Sequence, residues 1–288
     1  MKQHDPRMMI DSHCHIYPDE VAKKAVESIE TFYGQLPGKH PDGSVRTLIR
    51  TGRGCGINRY VVHSVAILPR HVKSVNYFIA RQADSHPDIF TGLGSLHPDS
   101  DTLEADFNEL YALGLKGVKL HPDTQRFKAD EPKAMRIYEM CQSSGLPVLV
   151  HTGDSRFDNS NPGRIANVLR QFPDLKFIGA HFGGWSVWDE ARRLLPDFPN
   201  LIVDTSSSSY WFKPEKAVEM IRSYGSERVM FGTDYPYWTQ QREIDFYQSL
   251  DLEQEEIEDI FWRTCTRLYG LPEENVSEKQ DEGAGGLL

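Results

Sequence analysis

Several familiar signatures are missing from this 288-residue chain, and each absence removes a class of function. The four cysteines, Cys14, Cys55, Cys141 and Cys265, are scattered and form no CxxC pair. Neither a disulfide framework nor a zinc-finger framework is therefore expected, and the thiols read as reduced. No apolar run approaches the roughly 20 residues of a membrane span, and the N-terminus lacks a signal-peptide core. No long basic run interrupts a net charge of −10, which argues against a nucleic-acid or anionic-membrane partner. Neither GxGxxG nor GxxxxGK[ST] occurs, so a nucleotide-binding turn after the first strand is not expected. What remains is a cytoplasmic protein with a small-molecule partner, a homo-oligomer being left open. A small anionic substrate stays compatible with the negative charge, since one or two local arginines suffice to bind it.

The chain that is left has a strict rhythm. Met8-Met9-Ile10 runs into Asp11-Ser12-His13-Cys14-His15, a short buried strand halted by Tyr17-Pro18-Asp19. Residues 19–58 are a long connection, with a helix hinted at by Val21, Ala25 and Ile29, a Pro/Gly-rich loop over 35–43, and Gly52, Gly54 and Gly56 breaking up the rest. An insertion of that length beside a candidate site often forms a lid or a binding loop. Strand-like runs then follow at 59–67, 90–97, 117–121, 147–151, 177–181, 201–205 and 229–234, each trailed by a segment of helical periodicity. Asn161-Pro162 reads as a helix start. Ile257, Ile260, Phe261, Thr264, Cys265 and Leu268 form the buried face of a closing helix. Eight strand–helix units without a linker predict a (β/α)₈ TIM barrel in one domain, residues 1–272, with 273–288 a disordered tail.

Histidines supply the functional signal. Of eleven, six fall at the C-terminal ends of the predicted strands: His13, His15, His97, His121, His151 and His181. Asp204 and Asp234 hold the same position on the seventh and eighth strands. A barrel gathers those ends on one face, where enzymes of this architecture keep their sites. Alternation along a strand points His13 and His15 the same way, so both imidazoles can grip one divalent ion. A pair of core-satisfied histidines would give the same HxH spacing; the set of strand ends is what argues for a site. His97 and His121 each precede a proline and read equally well as caps of a strand–loop bend. His63 falls in mid-strand and reads as structural.

DSHCH on strand one, GVKLHP on four, VLVHTG on five, GAHFGG on six and GTDYPY on eight, in that order, resemble the amidohydrolase superfamily. More narrowly they are similar to its amidohydrolase-related branch, which includes metal-dependent decarboxylases like aminocarboxymuconate-semialdehyde decarboxylase. The resemblance spans about Met9 to Gly270. It implies that His13, His15, His151 and Asp234 ligate a metal and that His181 stands beside it as a proton carrier or electrophile, Asp234 also serving in catalysis. Three imidazoles and a carboxylate suit one divalent ion, zinc first, with manganese or iron as alternatives. Lys119 lies where binuclear relatives carry a bridging group, but GVKLHP resembles the single-metal branch.

For the substrate, Trp185 and Tyr237 are candidate walls, His121 a lining residue, and Arg126 and Arg156 candidate carboxylate partners, since guanidinium matches a carboxylate bidentately. The favoured expectation is metal-assisted hydrolysis of a small carboxylate-bearing amide, ester or lactone through metal-activated water. The alternative within the fold is non-oxidative decarboxylation of an unsaturated or aromatic acid. A non-catalytic metal- or ligand-binding barrel is the alternative of another class.

Overall fold

The computed structural model describes residues 6–34 and 40–273. The expected tail, apart from residue 273, and part of the Pro/Gly-rich loop lie outside them. The chain is a (β/α)₈ barrel built of parallel strands: β1 (Ile10–His15), β2 (Arg59–His63), β3 (Phe90–Gly92), β4 (Gly94–Ser95), β5 (Val118–Leu120), β6 (Val148–Val150), β7 (Phe177–Gly179), β8 (Leu201–Asp204) and β9 (Val229–Met230). The third barrel strand is split. β3 pairs with β2 and β4 with β5, while Leu93, at the break, donates to Val62 O. Ser12 N donates to Phe231 O and His15 N to Tyr235 O, so strand one closes on strand eight.

Alternation sorts the core into two sets. Tyr60, Val62, Val118, Leu120, Val148 and Val150 pack outward under the helices. Val61, Leu93, Leu149, Ile178 and Met230 form a separate cluster with Met8 and Ile10, the filled interior of the barrel. Two residues beyond Val61 and Leu149 on the same inward face come His63 and His151. The change from apolar plug to polar site is therefore one step of the strand period.

Three expectations change in detail. The last strand ends at Met230 rather than Asp234, which has φ +61° and turns away from the strand path. The glycines at 52 and 54 do not break the insertion; they lie within helix α2 (Val45–Gly54), which follows α1 (Asp19–Tyr33). Ser44 caps α2 by accepting from Thr47 N, and Gly52 is needed because a Cβ there would stand 2.1 Å from the Tyr60 hydroxyl. The closing helical segment contains a π-turn over Asp259–Arg263. There the Ile260 carbonyl leaves the regular ladder and accepts from Phe231 N at 2.7 Å, docking the helix onto strand eight. Among the described residues no helix is long and apolar enough to cross a membrane.

Candidate active site

Strand one presents His13 and His15 side by side, ring centroids 5.3 Å apart. Asp11, below them, accepts from Thr233 N and Oγ1 at 2.9 and 2.6 Å and so fastens strand one to the turn that carries Asp234. Asp204, at the end of β8, sits 2.9 Å from His13 Nδ1 and accepts from the backbone amides of His181 and Ser206 at 3.0 and 3.1 Å. A carboxylate only accepts, so His13 Nδ1 carries the proton and Nε2 offers its lone pair. Around that lone pair, His15 Nε2 lies at 3.3 Å and Asp234 Oδ1 at 3.4 Å, the latter also 3.5 Å from His15 Nε2.

Two imidazole nitrogens and a carboxylate oxygen converging in a buried pocket are the donor types a divalent ion takes, so this donor set fits the divalent ion expected from the sequence. Burial would raise the carboxyls of Asp234 and Asp204, but the neighbouring histidines outweigh it and hold both below the usual carboxylate range. Lys119 enters the same cluster, its Nζ donating to His13 Nε2 at 3.1 Å, and burial lowers its ammonium to about 8.

Strands five and six bring a second pair. His151 Nδ1 is 3.0 Å from His181 Nε2, and His181 stacks on His13 at 5.3 Å. Behind His181, Nδ1 meets the Ser206 carbonyl at 3.1 Å and hydroxyl at 2.8 Å. Burial pulls His15 and His181 down to about 4, keeping both imidazoles neutral. The Nε2 of His151 faces away from the His13 cluster, 3.6 Å from Asp123 Oδ2 and 3.1 Å from the Gly153 carbonyl. Its ring lies flat on His121, centroids 4.0 Å apart. His13, His15 and Asp234 thus converge as a set, while His151 joins His181 and His121 beside them.

A cavity of about 160 Å³ opens above these groups. Its floor includes His15, His121, His151, His181 and Asp234, and its walls are Tyr33, Trp185, Trp211, Tyr237 and Trp238 with Ile29 and Ile67. Trp185, Tyr237 and His121 are among the residues that line it. The two arginines are not. Arg126 is exposed, in the left-handed conformation that ends the short helix Pro122–Gln125. Arg156 is committed elsewhere: its Nε and Nη2 donate to Asp154 at 3.0 and 2.7 Å, and Nη1 donates to Phe32 O at 2.7 Å. His97 accepts from Asp99 N at 3.2 Å and caps its bend.

Two residues beside the site were not among the sequence candidates, His63 having been read as structural. His63 ends β2 instead of lying in mid-strand, packs edge-on against His13 and His15 at 4.9 and 4.5 Å, and neither of its ring nitrogens has a hydrogen-bond partner among the described residues. Only the inward phase shared with Val61 would have revealed it. Tyr33 comes from the insertion and carries no signal at all in the sequence.

A parallel eight-stranded barrel with a His-x-His pair on its first strand and a carboxylate beyond its last has the layout of a metal-dependent enzyme barrel. The chain belongs to the amidohydrolase family, whose model matches residues 10–271. It is 20% identical over 251 residues to a gamma-resorcylate decarboxylase of Polaromonas sp. (strain JS666 / ATCC BAA-500), an alignment covering 69% of this chain and 76% of the relative. Among solved structures it resembles an uncharacterised TIM-barrel protein of Bordetella bronchiseptica (TM-score 0.77, 21% identity, covering 91% of this chain and 98% of that one). It also resembles a 5-carboxyvanillate decarboxylase of Novosphingobium aromaticivorans complexed with manganese and a nitrobenzoic acid (TM-score 0.71, 17% identity, 94% and 100%).

Proposed function

We propose that this protein is a metal-dependent, non-oxidative decarboxylase of a single-ring aromatic or unsaturated acid bearing one carboxylate. One observation carries the reading: the cavity joins a histidine–aspartate floor to aromatic walls, and among the described residues neither lysine nor arginine lines it. A cavity of roughly 150 Å³ accommodates benzene, so about 160 Å³ suits one substituted ring. With no lysine or arginine among the described lining residues, a second carboxylate would lose its hydration without gaining a partner there. The named decarboxylase relatives favour this reaction over the hydrolysis expected first from the sequence.

His13, His15 and Asp234 hold the ion in this reading, with His151 as the fourth donor that the family resemblance implies. Manganese, present in one relative, stands beside zinc as a candidate. When bound, the ion supplies a positive centre that binds the substrate oxygens. Trp185 and Tyr237 hold the ring, and the aromatic walls exclude water. His181, backed at Nδ1 by Ser206, presents Nε2 for a proton. A proton drawn from solvent onto Nε2 goes to the ring carbon bearing the carboxylate; the carbon–carbon bond then breaks, its electron pair restores the ring, and carbon dioxide leaves. His181 is then again the neutral imidazole whose one N–H, at Nδ1, faces the Ser206 carbonyl.

The test is product analysis with the manganese- or zinc-loaded enzyme on a panel of hydroxybenzoates, amides, esters and lactones. Carbon dioxide release in D₂O, with one deuterium at the vacated ring carbon, is the expected result. A cleaved amide or opened lactone without carbon dioxide would restore the hydrolytic reading. Binding across the panel without turnover would favour a non-catalytic barrel.

A further inference from the structure

The insertion after strand one contributes directly to the cavity, through the last turn of α1. Tyr33 lines it, with its hydroxyl 2.9 Å from His121 Nε2 and 3.4 Å from His151 Nε2. Its ring meets Trp185 edge-on at 5.2 Å. Nothing within α1 explains why its C-terminal end should be held there. The last turn has no basic residue, and Gly34 follows.

The anchor comes from the loop after strand five. Asp154 is buried and grips Arg156 through two parallel hydrogen bonds, which fixes the guanidinium plane. From that position Arg156 Nη1 donates to the Phe32 carbonyl, one of the acceptors that a helix C-terminus leaves unsatisfied. The guanidinium carbon also lies 5.1 Å from the ring centres of Phe32 and Tyr33 and 5.8 Å from that of Trp185. A cation that first reads as a carboxylate ligand therefore has its donors spent on joining two loops.

We propose that Tyr33 is a substrate-contacting, specificity-determining residue of this cavity, and that Arg156 is the positioning residue that holds it there. The assignment rests on the reading of the cavity as the site for a ring acid. Among the described residues lining the cavity, the Tyr33 hydroxyl is the only tyrosine or serine oxygen hydrogen-bonded to both His121 and His151. It places a neutral donor and acceptor beside His121 and His151, which suits a hydroxyl or carbonyl substituent on the ring better than a second anion.

Two readouts test this on the metal-loaded protein. The first compares affinities for 2-hydroxybenzoate and benzoate in wild type, Tyr33→Phe, Arg156→Met and Arg156→Lys. Losing one neutral hydrogen bond should weaken 2-hydroxybenzoate by about tenfold in Tyr33→Phe and leave benzoate nearly unchanged. Arg156→Met should show the same selective loss, raising KM more than it lowers kcat, with partial rescue in Arg156→Lys and metal content at the wild-type level. Equal losses for the two acids, or none, would overturn the contact. The second readout needs no substrate. Carbethoxylation of His121, followed by mass spectrometry, should speed up several-fold in Tyr33→Ala and Arg156→Met, because the phenol no longer covers the imidazole. Wild-type rates in both variants would overturn the positioning role. If wild type binds neither acid, the ring-acid reading fails alone, and the modification rates still decide whether Arg156 holds Tyr33 over the site.

Discussion

Gly153 offers the sharpest single-atom test of how the site is assembled. It follows His151 by two residues and has φ +79°, a conformation that costs an L-residue roughly 1–2 kcal/mol. A Cβ there would lie 2.5 Å from Gly184 C and 2.6 Å from both Gly184 Cα and Trp185 N. All three are backbone atoms of the loop after His181, so no side chain can swing aside. Forcing the loops apart adds about 1–3 kcal/mol of overpacking and strains the hydrogen bond from Trp185 N to Thr152 O. Gly153→Ala should therefore destabilise the fold by about 2–5 kcal/mol, a fall in Tm on the order of 10 °C for a chain of this size.

The cost should appear in function as well, because the strained contact sits between the loops that carry His151, His181 and the Trp185 wall. A displacement near 1 Å at such a site costs on the order of 10²-fold in turnover. Scanning calorimetry and steady-state kinetics on Gly153→Ala measure both effects. Gly163→Ala is the control: it lies in the helix Pro162–Gln171, and its Cβ would meet nothing closer than Glu190 Oε1 at 3.9 Å. That variant should match or slightly exceed wild type in stability. Wild-type Tm and turnover in Gly153→Ala would refute the claim that these two loops are locked by a glycine-sized gap.

Four further outcomes follow from the site and the core. Alanine at His13, His15 or His151 should strip bound metal while the circular dichroism stays native; full occupancy in His151→Ala would remove that residue from the ligand set. His181→Asn should keep its metal yet lose at least about 10²-fold in kcat. Elemental analysis should give one metal per chain with or without bicarbonate; two, falling to one in Lys119→Met, would mean that Lys119 bridges a pair. Glu243 is buried, with Oε2 unpartnered, and burial raises it to about 8. The folded state thus keeps a proton that the unfolded state releases near 4.5, and stability falls by up to about 1.4 kcal/mol per pH unit as pH rises between those values. Glu243→Gln should therefore outlast wild type in urea at pH 8.5 and match it at pH 4.5; equal denaturation midpoints at both pH values would refute this.

The parts of the molecule legible in the sequence are those where a short-range rule decides the outcome. Strand periodicity brought His13 and His15 together, and the strand–helix rhythm gave the barrel. The failures have physical causes too. His63 was misread because the apolar run continues to Ile67, while the strand itself stops at His63. The glycines of α2 were read as breakers because their reason, the Tyr60 hydroxyl pressing on Gly52, is a tertiary contact. Arg156 was offered to a substrate because a guanidinium in a strand-end loop has no visible partner until Asp154 and the Phe32 carbonyl are placed beside it. Arg126 was offered because sequence alone does not show that the left-handed turn after Gln125 leaves it exposed.

The same distinction explains why the sequence led first to hydrolysis. In the proposed site His13, His15 and Asp234 answer a single requirement, converging donors on a dication, and that requirement is common to every reaction such an ion assists. A motif built from them therefore specifies the ion and leaves the reaction open. What separates an attacking water from a departing carbon dioxide is the wall: its polarity, the water it admits and the charges it tolerates. Here that wall is Ile29 and Tyr33 from the insertion, Trp185 after strand six, Trp211 after strand seven and Trp238 after strand eight. These residues sit in four segments with no common period, and Tyr33 reaches the cavity through an arginine more than a hundred positions away. The chemistry of the ion is written locally along the strands, whereas the choice among its reactions exists only once the loops have met.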